Sequence, residues 1–188
     1  MSIFSYVITH DTGFAPNPFG GVLTLATCKP KIRRVAKPRD WVVGTGSCRS
    51  VVSGRVVFVA QIAEKLRIED YGDDDHFACK RPVASRESWR RHGDNIYQRR
   101  DSEWRQLRNP HHTPEDMKLD LSGRFVLVCN EFWYFGRNAP QLPLSLGDMR
   151  KIGPGHRRFD DVTRENALQA WLRQFPNGIN GEPGMTAP

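Results

Sequence analysis

The sequence has no apolar run approaching the ~18 residues that a membrane-crossing helix requires, and its four cysteines, Cys28, Cys48, Cys79 and Cys129, form no CxxC pair. The first absence excludes a helical membrane anchor. The second removes the strongest zinc and disulfide-framework signals. A signal peptide is also missing from the pattern, because Met1-Ser2 leads straight into strand-like alternation. These features predict a cytoplasmic chain with reduced, mostly buried thiols. Gly44-Thr45-Gly46 has no following Gly-Lys-Ser/Thr, which excludes a P-loop. No internal repeat is visible. Hydrophobic residues make up only 38%, so a compact core with long polar loops is expected.

What the chain does have is positive charge, formally +7 over 188 residues. That length suits one domain, placed at 1–180 with a basic insertion at about 70–118 and a flexible tail over 181–188. A basic balance favours anionic partners such as nucleic acid or nucleotides, and says nothing about fold. Residues 29–39 carry six basic residues and no acid. Residues 80–110 carry nine Lys/Arg against four Asp/Glu, interleaved with Trp89, Tyr97 and Trp104. Cations track phosphates and rings stack on bases, so both stretches read as nucleic-acid surfaces. The expected phosphate contacts are Lys31, Arg33, Arg34, Arg90, Arg91, Arg99 and Arg157.

The most informative stretch runs from Tyr6 to Gly21. Phe4, Tyr6 and Ile8 alternate as a strand. The chain then breaks into Thr9-His10-Asp11-Thr12-Gly13-Phe14-Ala15-Pro16-Asn17-Pro18-Phe19. These side chains can hydrogen-bond, titrate and stack, which points to one wall of a ligand site. Asp40-Trp41-Val42-Val43 reads as a buried strand running into Gly44-Thr45-Gly46-Ser47, where a tight bend would turn backbone N–H groups towards a ligand. Arg55 to Ile62 is a further strand. In Glu131-Phe132-Trp133-Tyr134-Phe135, alternation sends Phe132 and Tyr134 one way and Trp133 and Phe135 the other. One pair would fill the core and the other could stack on a flat ligand. Asp161 or Thr163 caps a helix to about Phe175 with Leu168, Leu172 and Phe175 on one face.

The acids of Glu69 to Asp75 read as a solvated loop or a helix N-terminus, His76-x-x-Cys79 lacks a partner pair for zinc, and the adjacent His111 and His112 point in different directions, which weakens a metal reading. No metal and no cofactor is expected.

Several blocks together resemble the nucleotide modification associated domain 2 family, whose members occur beside bacterial and phage DNA-modifying systems. They are Thr9 to Phe19, Leu25-Ala26-Thr27-Cys28-Lys29-Pro30, Asp40 to Ser47, Lys80-Arg81-Pro82, Gly93-Asp94-Asn95-Ile96-Tyr97 and Tyr134-Phe135-Gly136. The order of Tyr6–Thr9, Ile32–Ala36, Arg39–Val43 and Gly54–Ala60 is more loosely similar to PUA-like barrels, especially EVE and ASCH domains. That resemblance implies an α+β fold: a PUA-like mixed or antiparallel β-barrel with short helices and a C-terminal helix. It also implies binding of nucleic acid with a modified or flipped base.

Two function classes follow. In the first, the chain is a binding module for DNA or a modified nucleotide, with RNA as a further ligand and other modification or defence proteins as partners. Its ligand-binding set is Thr9, His10, Asp11, Phe14, Asn17, Trp41, Thr45, Ser47, Tyr97, Trp133 and Tyr134. In the second, it is an enzyme acting on a nucleotide or base through His10 and Asp11 with Thr9. That dyad requires the backbone to turn sharply, since neighbours on a strand face opposite ways. Thr9, Cys28 or Ser47 would serve as nucleophile if folding brought it to His10.

Overall fold

The computed structural model describes residues 1–85 and 87–184. Its elements are β1 (Ile3–Ile8), β2 (Leu23–Leu25), α1 (Pro30–Val35), β3 (Trp41–Gly46), β4 (Val56–Gln61), β5 (Glu64–Arg67), α2 (Ile68–Asp73), α3 (Ser88–Arg91), β6 (Tyr97–Arg100), β7 (Glu103–Gln106), α4 (Met117–Leu121), β8 (Phe125–Cys129), β9 (Glu131–Tyr134), β10 (His156–Phe159), α5 (Val162–Leu172) and β11 (Gly178–Ile179), with short 3-10 turns between them.

The fold is α+β. A six-stranded sheet has the order β10-β1-β3-β4-β9-β11, a three-stranded sheet the order β2-β8-β5, and β6-β7 is a separate hairpin. Among the described residues no barrel closes, because β10 and β11 end the large sheet as free edges. The expected PUA-like barrel is therefore replaced by two stacked open sheets.

Alternation explains the layering. Phe4, Tyr6 and Ile8 of β1 point into a central core with Leu23, Leu25, Val42, Val57, Leu127, Phe132 and Tyr134. Ile3, Trp41, Val43, Val56 and Val59 point the other way and meet Leu168 and Leu172 of α5. The large sheet is covered on both faces, so its strands read as continuous apolar runs. The second face of the small sheet packs on Ile68, Tyr71, Phe77, Ile96 and Tyr97. The segment read as a basic insertion thus supplies residues of a third core, while Arg90, Arg91, Arg99, Arg100, Arg105 and Arg108 are exposed.

The C-terminal helix forms as expected. The Asp161 carboxylate accepts from Thr163 N–H at 2.9 Å, and α5 ends at Leu172. Within the stretch read as a tail from 181, Glu182 O accepts from Arg137 N–H at 2.9 Å. Residues 185–188 lie outside the described residues.

One pairing decides where a site can form. β1 and β3 are parallel, with Ile8 opposite Gly46, and the crossover between them runs through β2 and α1. Parallel strands release their chains at the same end of the sheet, where ligands of open sheets commonly bind. Thr9 and Ser47 both leave the sheet there.

Candidate functional site: a cationic cleft and a thiol cluster

A cleft of about 810 Å³ opens at this end of β1 and β3. Its walls are Val7 to Asp11, the loop Gly46 to Val52, and the glycine-bracketed loop Arg150 to Gly155, with Lys29 at one side. Four cations line it: Lys29, Arg49, Arg150 and Lys151. Asp11 is the single acid of the lining. Among the described residues none of the four cations makes an ion pair. Lys29 Nζ donates to Val7 O at 3.2 Å, and Lys151 Nζ donates to the backbone carbonyls of Ile152 and Gly153.

Asp11 sits at the base of the cleft. Its carboxylate accepts from the Tyr134 hydroxyl and from Gly184 N–H at 2.9 Å. Burial pushes its carboxyl up from the usual range, and these hydrogen bonds only partly oppose that. His10 is exposed and makes no side-chain hydrogen bond among the described residues. The chain does bend at Thr9, but Asp11 turns inward to Tyr134 and not to His10. Val51 and Ile152 project from the two facing loops, 90% and 73% exposed.

The sequence-predicted residues divide sharply. Thr9, His10, Asp11 and Ser47 line the cleft together, and Tyr134 reaches it only through Asp11. The others lie elsewhere. Trp41 is in the core under α5, with its Nε1 donating to Glu165 at 3.2 Å. Trp133 donates from Nε1 to Phe175 O at 3.1 Å. Neither aromatic pair of β9 is free to stack, because two cores need both faces of the strand. Thr45 is buried, with its hydroxyl directed at Tyr6 O. The Gly44–Ser47 bend is absent: β3 continues to Gly46, and the N–H groups of Gly46 and Ser47 are used by Arg55 O and Ile8 O.

Asn17 is a structural lock. Its amide donates to Gly13 O and His92 O, both at 3.0 Å, and its Oδ1 accepts from Lys80 Nζ at 2.9 Å. Burial lowers the Lys80 ammonium to about 8, against the pull of Asp94.

The predicted phosphate contacts divide as well. Lys31, Arg34, Arg90, Arg91, Arg99 and Arg157 are exposed. Arg99 is paired with Glu69 at 2.8 Å, and Arg157 donates to Asp148 O at 2.8 Å. Arg33 is fully buried. It donates to the carbonyls of Cys28, Phe125 and Asp120 at 2.7, 2.8 and 2.6 Å, and its guanidinium lies 3.8 Å from the Asp120 carboxylate. Fully buried and tied to these carbonyls, it cannot reach a phosphate in solution.

Beside the cleft, on the other side of Lys29, lies a cluster the sequence reading did not assemble. Cys28 Sγ is 3.5 Å from His112 Nε2, and His112 Nδ1 is 2.7 Å from Asp120 Oδ2. Asp120 also accepts from Cys28 N–H at 2.7 Å and from the Tyr97 hydroxyl at 2.8 Å. Tyr97, expected at the ligand, is thus a support for Asp120. Phe14 packs on the rings of His111 and His112, with centroids 4.6 and 4.9 Å away, so it too belongs to this cluster. Burial alone would lower the His112 imidazole. The hydrogen bonds to Asp120 and Cys28 outweigh it and push it up to about 10. Burial would raise the Asp120 carboxyl, but His112, the Tyr97 hydroxyl and the charge of Arg33 hold it below its usual range. No pattern within the chain signals this, since the members are 84 and 8 residues apart. The one cue was an unexplained His pair. Among the described residues no three His, Cys, Asp or Glu side chains are arranged to hold a metal ion.

All four cysteines are free, and no helix among the described residues is long and apolar enough to cross a membrane. No curated protein and no solved structure matches the chain. The cleft-forming stretch Thr9 to Phe19 and the thiol-bearing stretch Leu25 to Pro30 are both among the blocks that carried the family resemblance, and a family profile covers residues 1–187: the chain belongs to the nucleotide modification associated domain 2 family.

Proposed function

We propose that the cleft at the ends of β1 and β3 is a nucleotide-binding site, and that the protein recognises a modified or flipped base in DNA. The observation that carries this reading is the convergence of Lys29, Arg49, Arg150 and Lys151 on one cleft with a single, inward-tied carboxylate. Four unpaired cations in a concave site raise the local concentration of an anion and match phosphate chemistry. The volume falls in the ~300–1,000 Å³ range of small-molecule sites. Thr9, His10 and Ser47 supply the polar groups that read base edges. The exposed Val51 and Ile152 flank the mouth and can hold a flat ring between them in place of the aromatic slot expected from sequence. Unstacking a base costs a few kcal/mol, which such contacts must offset. The family's association with nucleotide modification supports the same substrate class.

The test is fluorescence anisotropy with modified and unmodified oligonucleotides at two salt concentrations, on the wild type and on the Arg49→Ala/Arg150→Ala protein. The double variant should bind at least about tenfold more weakly, with a salt slope reduced by about 0.9 per lost phosphate contact. Changing Lys31 and Arg34 instead should have a smaller effect. Equal binding by wild type and double variant, with no preference for any base modification, would refute the reading.

A further inference from the structure

We infer that Cys28, His112 and Asp120 form a nucleophilic centre for acyl transfer, in which the Cys28 thiolate attacks the carbonyl carbon of an amide or ester. This goes beyond ligand recognition in the cleft and does not depend on it.

The geometry has the parts such a centre needs. A nucleophile must reach a base, and the base must be oriented by a third group. Here Sγ faces Nε2 at 3.5 Å and Nδ1 faces a carboxylate oxygen at 2.7 Å. Asp120 is 2% exposed, so its charge acts at low dielectric. Cys28 and His112 are half-buried, which keeps the thiol reachable.

The backbone supports the arrangement. Cys28 and the following Lys29 both adopt positive φ, 55° and 39°. Consecutive left-handed residues other than glycine are costly and persist only where the surroundings over-determine them. Here the Cys28 N–H is held by Asp120 and its carbonyl by Arg33, both at 2.7 Å. A packing cysteine needs no such elbow. The groups facing the pair are Lys29 next in the chain, Arg33 on α1, Tyr97 on β6, Asp120 on α4, and His111. His111 is lowered to about 4 by burial and by the neighbouring His92 and His112, so it stays neutral and adds no competing cation.

The step balances as follows. One proton is shared between Cys28 Sγ and His112 Nε2, which lie 3.5 Å apart, and it stays on the imidazole as Sγ attacks. Sγ bonds to the carbonyl carbon, and the carbonyl π pair moves to oxygen. When the pair returns, the bond from carbon to the leaving nitrogen or oxygen breaks, and His112 Nε2 gives that atom its proton. A water then attacks the thioester while His112 takes its proton. The S–C bond breaks, releasing a carboxylic acid and leaving the proton shared again between Sγ and Nε2. Asp120 holds the imidazole and remains ionised throughout.

The experiment uses the full chain and two probes. Iodoacetamide labelling at about pH 6, read by peptide mass spectrometry, compares Cys28 with the exposed Cys48 and Cys79 in the same molecule. Because His112 Nε2 stands beside Cys28 Sγ to hold its proton, Cys28 should be alkylated at least about tenfold faster than Cys48 and Cys79. His112→Gln should remove that advantage and leave Cys48 unchanged. With p-nitrophenyl acetate the wild type should release one equivalent of p-nitrophenolate in a burst and carry one acetyl group on Cys28. Cys28→Ser should lose the burst. Alkylation of Cys28 no faster than of Cys48, an unchanged rate in His112→Gln, or absence of the acetyl-Cys28 burst would each overturn the assignment. If His112→Gln fails to fold, judged by circular dichroism, the comparison of thiols within the wild type still decides.

Discussion

The imidazole of His112 offers a direct test of the electrostatics around the thiol, through His112→Gln. In the folded chain the ring is pushed up to about 10, against about 6.5 in an unfolded chain. For a group whose folded value is raised, the stabilisation is fully present below the unfolded value. It is lost as pH rises through the folded one. The window is therefore about pH 6.5 to 10. Each unit is worth about 1.4 kcal/mol, so the whole shift has a ceiling of about 5 kcal/mol, and about 3 kcal/mol of it disappears between pH 7 and pH 9. The ring's side chain is only 14% exposed, so solvent screening removes little. Lys80 works in the opposite sense. Its folded value of about 8 lies below the unfolded value of 10.5, so its stabilisation is present above the latter and lost as pH falls through 8. Its gain of about 1.4 kcal/mol per unit above pH 8 partly hides the His112 loss in the wild type. Comparison with His112→Gln cancels the Lys80 contribution, because both proteins carry it. Urea unfolding should therefore show a stability gap between wild type and variant that is largest below about pH 6.5 and about 3 kcal/mol smaller at pH 9 than at pH 7. An NMR titration of the His112 ring identifies the group. A gap that does not change with pH, or a ring that titrates near 6.5, would refute the reasoning.

Three further outcomes follow from the packing. Asn17→Ala should cost about 3 kcal/mol in urea unfolding, because it strips a hydrogen-bond acceptor from a buried ammonium; a cost below about 1 kcal/mol would mean water replaces the amide. Lys80→Met should cost less than Asn17→Ala, since it removes the charge together with its need for partners, and circular dichroism melts of the two variants rank them. Gly46→Ala would place a Cβ 2.2 Å from Val52 O. It should push the 46–52 loop out of the cleft, destabilise by about 1–3 kcal/mol, and weaken oligonucleotide binding in the anisotropy assay.

The parts legible in the sequence were those with local causes. The alternation in Phe4-Ser5-Tyr6-Val7-Ile8 and the Asp161 cap on α5 are written in neighbouring residues, and both formed where read. The parallel pairing of β1 with β3 was not legible, because it depends on how β2 and α1 carry the chain across. Nor was the closure of both faces of β9, since alternation tells which side a ring faces but not whether that side is covered. Trp41 and Trp133 were read as available for stacking for this reason, and both lie against α5. Gly44-Thr45-Gly46 looked like a bend because glycine permits one. The structure uses the missing Cβ of Gly44 differently, to admit Phe58 and Ile8, which would lie 2.4 and 2.5 Å from it.

Charge was the most misleading signal, and the reason is physical. A count of Lys and Arg cannot separate a cation that faces water from one held inside by carbonyls. Arg33 and Lys80 each sit among backbone oxygens and a carboxylate, which is the condition for burying such a group. Both belong to runs read as phosphate surfaces. Arg33 instead ties the elbow at Cys28 to Asp120, and Lys80 ties Asn17 and Val22 to the segment that carries Asp94. Asp94 in turn accepts from Thr24 and Tyr71, each at 2.7 Å. The region read as a basic insertion therefore contributes to the third core, and it delivers Tyr97 and His112 to Cys28, with Asp120 just beyond its end. Surface arginines there can change without consequence for the thiol, whereas loss of Lys80 or Asn17 disturbs the platform on which His111 and His112 stand, because the Asn17 amide also holds the carbonyl of His92, whose ring contacts His111.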